Sequence, residues 1–295
     1  QGIDLMCKVF LDKGDVVLVE NPTYLAFLQI AATYEARVIG VKSDGSGLDL
    51  NDLEDKIKRY SPKLIYTVPT FSNPTGRSYS LDNRKGIAAL ASRYDVMVLE
   101  DDPYGRLRFS GQPLPALKSF DTTDNVVYVT SFSKILSPGL RVGVMAGGKE
   151  VIRKLVIAKQ GTDLHTASLS QLIAFEYLKR GCLKPNIARS LPIYRHRAEA
   201  MAAALDKYMP EEFSRTDPEG GLFIWGEFSV HVDTGKCFAD AVKRNVAYVE
   251  GSVFYADGNG KNTLRLNYSN ADEEKIERGI RALGDMFKEK VMEVK

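Results

Sequence analysis

Lys134 stands in the run Ser131-Phe132-Ser133-Lys134-Ile135-Leu136-Ser137-Pro138-Gly139-Leu140-Arg141, and the residue types around it suit a particular chemistry. A lysine amine that attacks a carbonyl must first lose a proton held with an unperturbed pKa of about 10.4, which requires burial or a neighbouring cation. The apolar run Val126-Val127-Tyr128-Val129 just upstream reads as a buried strand that leads to the lysine. Two serine hydroxyls, Ser131 and Ser133, and the Arg141 guanidinium all lie within seven residues of the amine. A phosphate group takes hydrogen bonds from such hydroxyls and a bidentate pair from such a guanidinium. Alone, the segment reads equally well as a surface loop.

Other segments change that balance. The apolar run ending at Val68 leads into Pro69-Thr70-Phe71-Ser72-Asn73-Pro74-Thr75-Gly76, and the run ending at Leu99 leads into Glu100-Asp101-Asp102-Pro103-Tyr104. A first run, ending at Val19, leads into Glu20-Asn21-Pro22-Thr23-Tyr24. In open α/β sheets the functional groups gather beyond the carboxyl ends of the strands, so these clusters and Lys134 are expected to meet in one crevice. Pyridoxal 5'-phosphate (PLP) carries both an aldehyde for the amine and a phosphate for the hydroxyls and guanidinium. Its ring nitrogen needs an anion, so that the protonated ring can act as an electron sink; Asp101 can supply it. Asn73 and Tyr104 can bind the ring hydroxyl, and Tyr24 can lie against the ring face. Each has a plainer reading: Asn73-Pro74-Thr75-Gly76 consists of turn residues, Asp101 and Asp102 can be helix caps, and Tyr24 can be a core aromatic. Their joint occurrence at successive strand ends is what the plainer readings leave unexplained.

The elements that must position these residues follow from hydrophobic patterning. From Asp15 to Gly147 short apolar runs alternate with amphipathic stretches, which indicates an α/β unit with a mostly parallel sheet between helices. Asn51 or Asp52 is expected to open the helix that ends near Tyr60, and Ser80 or Asp82 the helix through Ile87. Beyond Gly147 helices are expected over about 150–159, 168–179 and 187–208. Strands at 221–225, 246–249 and 263–266, with helices near Phe238 and over 272–291, then form a smaller α+β unit. The 295 residues thus divide into a large domain, 1–185, and a small carboxy-terminal domain, 186–295, with the boundary near Pro185. The opening segment, Gln1 to Leu11, has helical spacing without a cap, as though the sequence begins inside a longer protein.

The combination of Asn73-Pro74-Thr75-Gly76, Asp101-x-x-Tyr104, Ser131-x-Ser133-Lys134 with Arg141, and Arg265 in the last strand resembles the fold-type I PLP-dependent aminotransferases. The likeness is greatest to the branch containing aminoadipate, kynurenine and aromatic aminotransferases, and covers nearly the whole chain. It implies an aspartate-aminotransferase-like fold and a Schiff base at Lys134, with Asp101 at the pyridine nitrogen and Asn73 and Tyr104 at the phenolic oxygen. It implies also that Ser131, Ser133 and Arg141 bind phosphate, that Tyr24 stacks on the ring, and that Arg265, with Asn73, takes the substrate carboxylate. The implied reaction transfers an amino group from an L-amino acid to a 2-oxo acid, 2-oxoglutarate being the natural acceptor, in a homodimer. In that family a Gly-Ser-Gln-type turn also holds the phosphate, and here Gln1 and Gly2 are what remains of it.

Two other readings share the cofactor: an aminotransferase-like sensor domain of a winged-helix transcription regulator, and a PLP-dependent β-lyase on the same fold. A net charge of +2 offers no basic face for nucleic acid or anionic membrane. No apolar run approaches the roughly 20 residues of a membrane span. Cys7, Cys182 and Cys237 lack metal-ligand spacing and are read as buried reduced thiols, in keeping with a cytoplasmic protein. No metal site is expected. His165, His196 and His231 are read as structural or surface residues and Trp225 as core. The preferred amino acid is not written in these residues.

Overall fold

The computed structural model describes residues 1–294. Helix α1 (Gly2–Phe10) precedes strand β1 (Val16–Glu20), and α2 (Leu25–Thr33) leads back to β2 (Arg37–Val41). A small hairpin, β3 (Ser43–Asp44) and β4 (Gly47–Leu48), then precedes α3 (Leu50–Tyr60), β5 (Leu64–Thr67), α4 (Leu81–Tyr94) and β6 (Met97–Asp101). After β7 (Val126–Ser131) and β8 (Gly143–Ala146) come three helices, α5 (Lys149–Asp163), α6 (Ser168–Lys179) and α7 (Leu183–Tyr208). The last part contains β9 (Phe213–Arg215), β10 (Phe223–Phe228), α8 (Thr234–Lys243), β11 (Val249–Glu250), β12 (Thr263–Asn267) and α9 (Glu273–Val294).

The apolar runs become a six-stranded sheet in the order β2-β1-β5-β6-β7-β8. All pairs are parallel except β7 with β8. Both faces of the central strands are covered, which is why they read as continuous hydrophobic stretches. Leu5 and Met6 of α1, Phe27 of α2 and Leu155 of α5 pack on one face, and Leu53 and Ile57 of α3 with Ile87 and Ala91 of α4 on the other. This is the α/β architecture expected from the sequence. The chain leaves β1 for β2 on one side and returns as β5 on the other, so the loops after β1 and β5 diverge and leave a crevice between them.

A second, antiparallel sheet has the order β11-β12-β10-β9 and shares its core with α7, α8 and α9 through Ile224, Phe228, Leu266, Tyr268 and Phe287. Helix α7 runs through the expected boundary near Pro185. Lys295, the end of the expected small domain, lies outside the described residues.

Some local expectations shift. The first cap lies upstream: Asp49 accepts from the Asn51 and Asp52 amides at 2.9 and 3.1 Å. Ser80 does cap α4, accepting from the Asn83 amide at 3.2 Å. The strand expected at 221–225 starts at Phe223, because Gly221 turns the chain with φ 73°. The strand expected at 246–249 shrinks to Val249–Glu250. Cys7 and Cys237 are buried but Cys182 is half-buried, a departure from the expected burial; all three are free. Trp225 is core, edge-on to Phe254 at 5.8 Å, and the three histidines are exposed. Among the described residues no helix is long and apolar enough to cross a membrane, and no cluster of side chains could hold a metal ion.

Candidate active site

The strand ends deliver their side chains to a cavity of about 270 Å³. Tyr24 arrives from the loop after β1, as the residue preceding the first turn of α2. Asn73 arrives from the loop after β5, which a fully buried arginine fixes: Arg84 donates to the carbonyls of Pro69 at 2.6 Å, Tyr79 at 3.2 Å and Pro115 at 3.2 Å, and to Thr70 Oγ1 at 2.9 Å.

Asp101 ends β6, and its Oδ2 accepts the Tyr66 hydroxyl at 2.8 Å. The adjacent Asp102 is occupied elsewhere. It accepts the Gly105 amide at 2.8 Å and the Tyr128 hydroxyl at 2.9 Å, which secures the turn that carries Tyr104. Beyond β7 a short 3-10 turn, Phe132–Lys134, is held by Ser131, whose Oγ accepts from the Ser133 amide at 3.1 Å and donates to Ser133 Oγ at 2.8 Å.

Tyr24, Asn73, Asp101, Tyr104, Ser131, Ser133, Lys134 and Arg141 all line this cavity. The structure therefore brings together every residue expected there except Arg265, which reaches it through a neighbour. From β12 of the second sheet, Arg265 Nη1 donates to Asn73 Oδ1 at 2.7 Å, with its guanidinium 4.3 Å from the Phe223 ring and 5.2 Å from the Phe254 ring. Its buried Nε has no partner among the described residues. Lys134 itself is exposed, contrary to the burial that the preceding strand suggested: the strand is covered, but the 3-10 turn lifts the lysine to the cavity rim. Arg141 is exposed too, with φ 54°, and donates from Nη1 to the Pro138 carbonyl at 3.1 Å.

Burial sets the electrostatics of the floor. It pushes the Asp101 carboxyl up to about 6, against the pull of the Tyr66 hydrogen bond, with Asp102 adding to the rise. Burial likewise raises the Tyr104 and Tyr24 phenols, with the Asp101 charge second in each case, and lowers Arg265. The cavity thus has a carboxylate at its floor, hydroxyls and a guanidinium to one side, and a primary amine at its mouth.

Reading single residues missed three contributors, Tyr66, Arg84 and Thr130, while Gly2 was reached only through the family resemblance. Tyr66 and Arg84 brace the floor; Thr130 lines the cavity and donates to the Asp102 carbonyl at 2.7 Å. Gly2, at the amino end of α1, lines it as well, and a Cβ there would lie 2.8 Å from Val129 Cγ2. For Tyr66 the signal lay in strand register. It pairs with Leu99, and the two-residue period puts Leu99 and Asp101 on one face, so the tyrosine stands diagonally beside the carboxylate.

Comparison with known proteins agrees with this geometry. The family model for aminotransferase class I and II matches residues 1–283. The chain belongs to that family. It is 42% identical to aromatic-amino-acid aminotransferase 1 of Thermococcus litoralis, over 99% of this chain and 71% of that protein. The crystal structure of Pyrococcus horikoshii kynurenine aminotransferase, in complex with PMP and with KYN and KYA as substrates and products, superposes with a TM-score of 0.96 at 45% identity, covering 100% of this chain and 74% of that one. An uncharacterized HTH-type transcriptional regulator of Bacillus subtilis is 32% identical over 99% of this chain and 60% of its own length. The aminotransferase fold therefore accounts for both sheets and for the cavity at the strand ends of the first.

Proposed function

We propose that this aminotransferase uses PLP held in the cavity to move the amino group of an L-amino acid to a 2-oxo acid, with 2-oxoglutarate as acceptor. One observation carries the reading: the cavity joins the Lys134 amine, the buried Asp101 carboxyl and the Ser131, Ser133 and Arg141 donors. The residues fit the cofactor. An amine, a buried carboxyl and hydroxyl and guanidinium donors share one cavity, and Arg265 Nε, without a partner among the described residues, keeps a buried donor for a carboxylate.

Asp101 would face the ring nitrogen, Asn73 and Tyr104 the ring oxygen, and Tyr24 the ring plane. Ser131, Ser133 and Arg141 would take the phosphate. When bound, the cofactor supplies an electron sink for the charge left at the substrate α-carbon. Lys134 would hold it through Nζ, and the same amine would carry a proton to and from the substrate α-carbon as general base and acid. Burial shifts Asp101 toward its neutral form, and a cation beside it favours the anion. Arg265 and Asn73 hold the substrate carboxylate as a hydrogen-bonded pair, which orients the amino group toward Lys134.

The division into domains 1–185 and 186–295 is supported by the two sheets and their separate cores. A homodimer is supported by the apolar face of α6, where Leu169, Leu172 and Phe175 are 72%, 60% and 55% exposed. Three free thiols suit a reducing cytoplasm.

The test is an amino-donor screen with 2-oxoglutarate as acceptor. Formation of glutamate together with the donor's 2-oxo acid is the expected result. Pyruvate with ammonia would instead assign a β-lyase, and cofactor binding without amino exchange on any donor would assign a sensor domain.

A further inference from the structure

We propose that Tyr66 is a positioning residue for Asp101: its hydroxyl occupies Oδ2 and so fixes which carboxylate oxygen is turned to the cavity. The idea rests on the reading of Asp101 as the residue that faces the cofactor nitrogen. The Tyr66 hydroxyl lies 2.8 Å from Asp101 Oδ2, and no other side chain among the described residues donates to this carboxylate. The tyrosine cannot easily swing away. It is fully buried in β5, and its ring lies flat on Phe27, with centroids 3.9 Å apart and planes 9° apart.

A hydrogen bond from a neutral phenol to one oxygen leaves the negative charge available at the other, and holds it in one orientation before any ligand arrives. The phenol remains a donor across the working range, since burial, and then the Asp101 charge, raise it well above its ordinary value. The titratable side chains around Asp101 are Tyr66 from β5, Asp102 just past its own strand, and Tyr24 and Tyr104 from the neighbouring loops. Lys134 and Arg141 share the cavity, and Arg265 acts through Tyr24 and Tyr104.

The experiment replaces Tyr66 by Phe and follows the Asp101 carboxyl by infrared difference titration in the cofactor-free protein, with Asp101→Asn identifying the band. The midpoint is expected to rise by about one to two pH units, the size of a lost hydrogen bond to a charged group. In the holoenzyme the acid limb of kcat/KM should move the same way, with kcat falling while KM for the amino donor changes little. An unmoved midpoint in a variant that melts like the wild type overturns the proposal. If Tyr66→Phe does not fold, 3-fluorotyrosine at position 66 keeps the ring and strengthens the donor. It should lower the midpoint, and no change would equally overturn the idea. Because the carboxyl titration needs no cofactor, its outcome is separate from whether the protein binds PLP at all.

Discussion

Lys134 has no fold-level distinction of its own; its significance comes from what shares its cavity. Lys134→Ala should abolish the visible absorbance of the bound cofactor and lower amino exchange by at least about 10²- to 10⁴-fold, the usual worth of a positioned proton carrier. Retention of both, read by absorbance and coupled assay, would remove the lysine from the mechanism. A second titrating group lies just behind the site. Glu20 accepts from the Tyr79 hydroxyl at 2.9 Å and the Ser72 hydroxyl at 3.3 Å, and burial outweighs both bonds to push its carboxyl from 4.5 up to about 7. As pH rises through that window the unfolded chain loses this proton while the folded chain keeps it, so this group's contribution to stability falls. Glu20→Gln removes that dependence. The melting temperature of the variant relative to wild type should therefore increase between about pH 5 and pH 8, and parallel melting curves would contradict the assignment.

The loop Asn73–Gly76 is where elements of the two sheets meet. Gly76 has φ 70°, and a Cβ on it would lie 2.6 Å from the Phe223 carbonyl of β10; Thr216 Oγ1 also donates to the Thr75 carbonyl at 2.9 Å. Gly76→Ala is thus expected to cost roughly 1–3 kcal/mol and to lower kcat/KM as well, because the same loop carries Asn73. Asp49→Ala, which removes the cap of α3 far from the cavity, should cost about 1 kcal/mol with turnover unchanged. Urea unfolding and steady-state assays on the two variants separate a loop that serves the site from a helix that serves the fold. At this scale much was legible in the sequence. Val16–Val19, Leu64–Thr67 and Val126–Val129 announce themselves as strands because burial on both faces requires uninterrupted apolar residues. The β3–β4 hairpin was not, since two-residue strands have no period to detect, and 246–249 reads as a strand although mainly Val249 and Glu250 find a partner.

At the level of the whole molecule, α6 presents the exposed apolar side chains Leu169, Leu172 and Phe175. In the proposed homodimer, Leu172→Glu, at a side chain 60% exposed, should lower the light-scattering mass from dimer to monomer without unfolding α6; a monomeric wild type would sink the homodimer reading, and a variant that stays dimeric would take α6 out of the interface. The cavity too is a property of the whole molecule, because Arg265 reaches Asn73 only across the junction of the two sheets. The sequence by itself determined the α/β class, the identity of the strand-end clusters, and the residues Tyr24, Asn73, Asp101, Tyr104, Ser131, Ser133, Lys134 and Arg141 as one set. It could do so because residue type and local period carry the chemistry and the burial of each segment. Tertiary structure alone decided that Tyr66 donates to Asp101, that Arg84 pins the loop before Asn73, and that Lys134 sits at the rim. Those facts depend on strand register and on close approach between residues distant in sequence, and no local pattern records either.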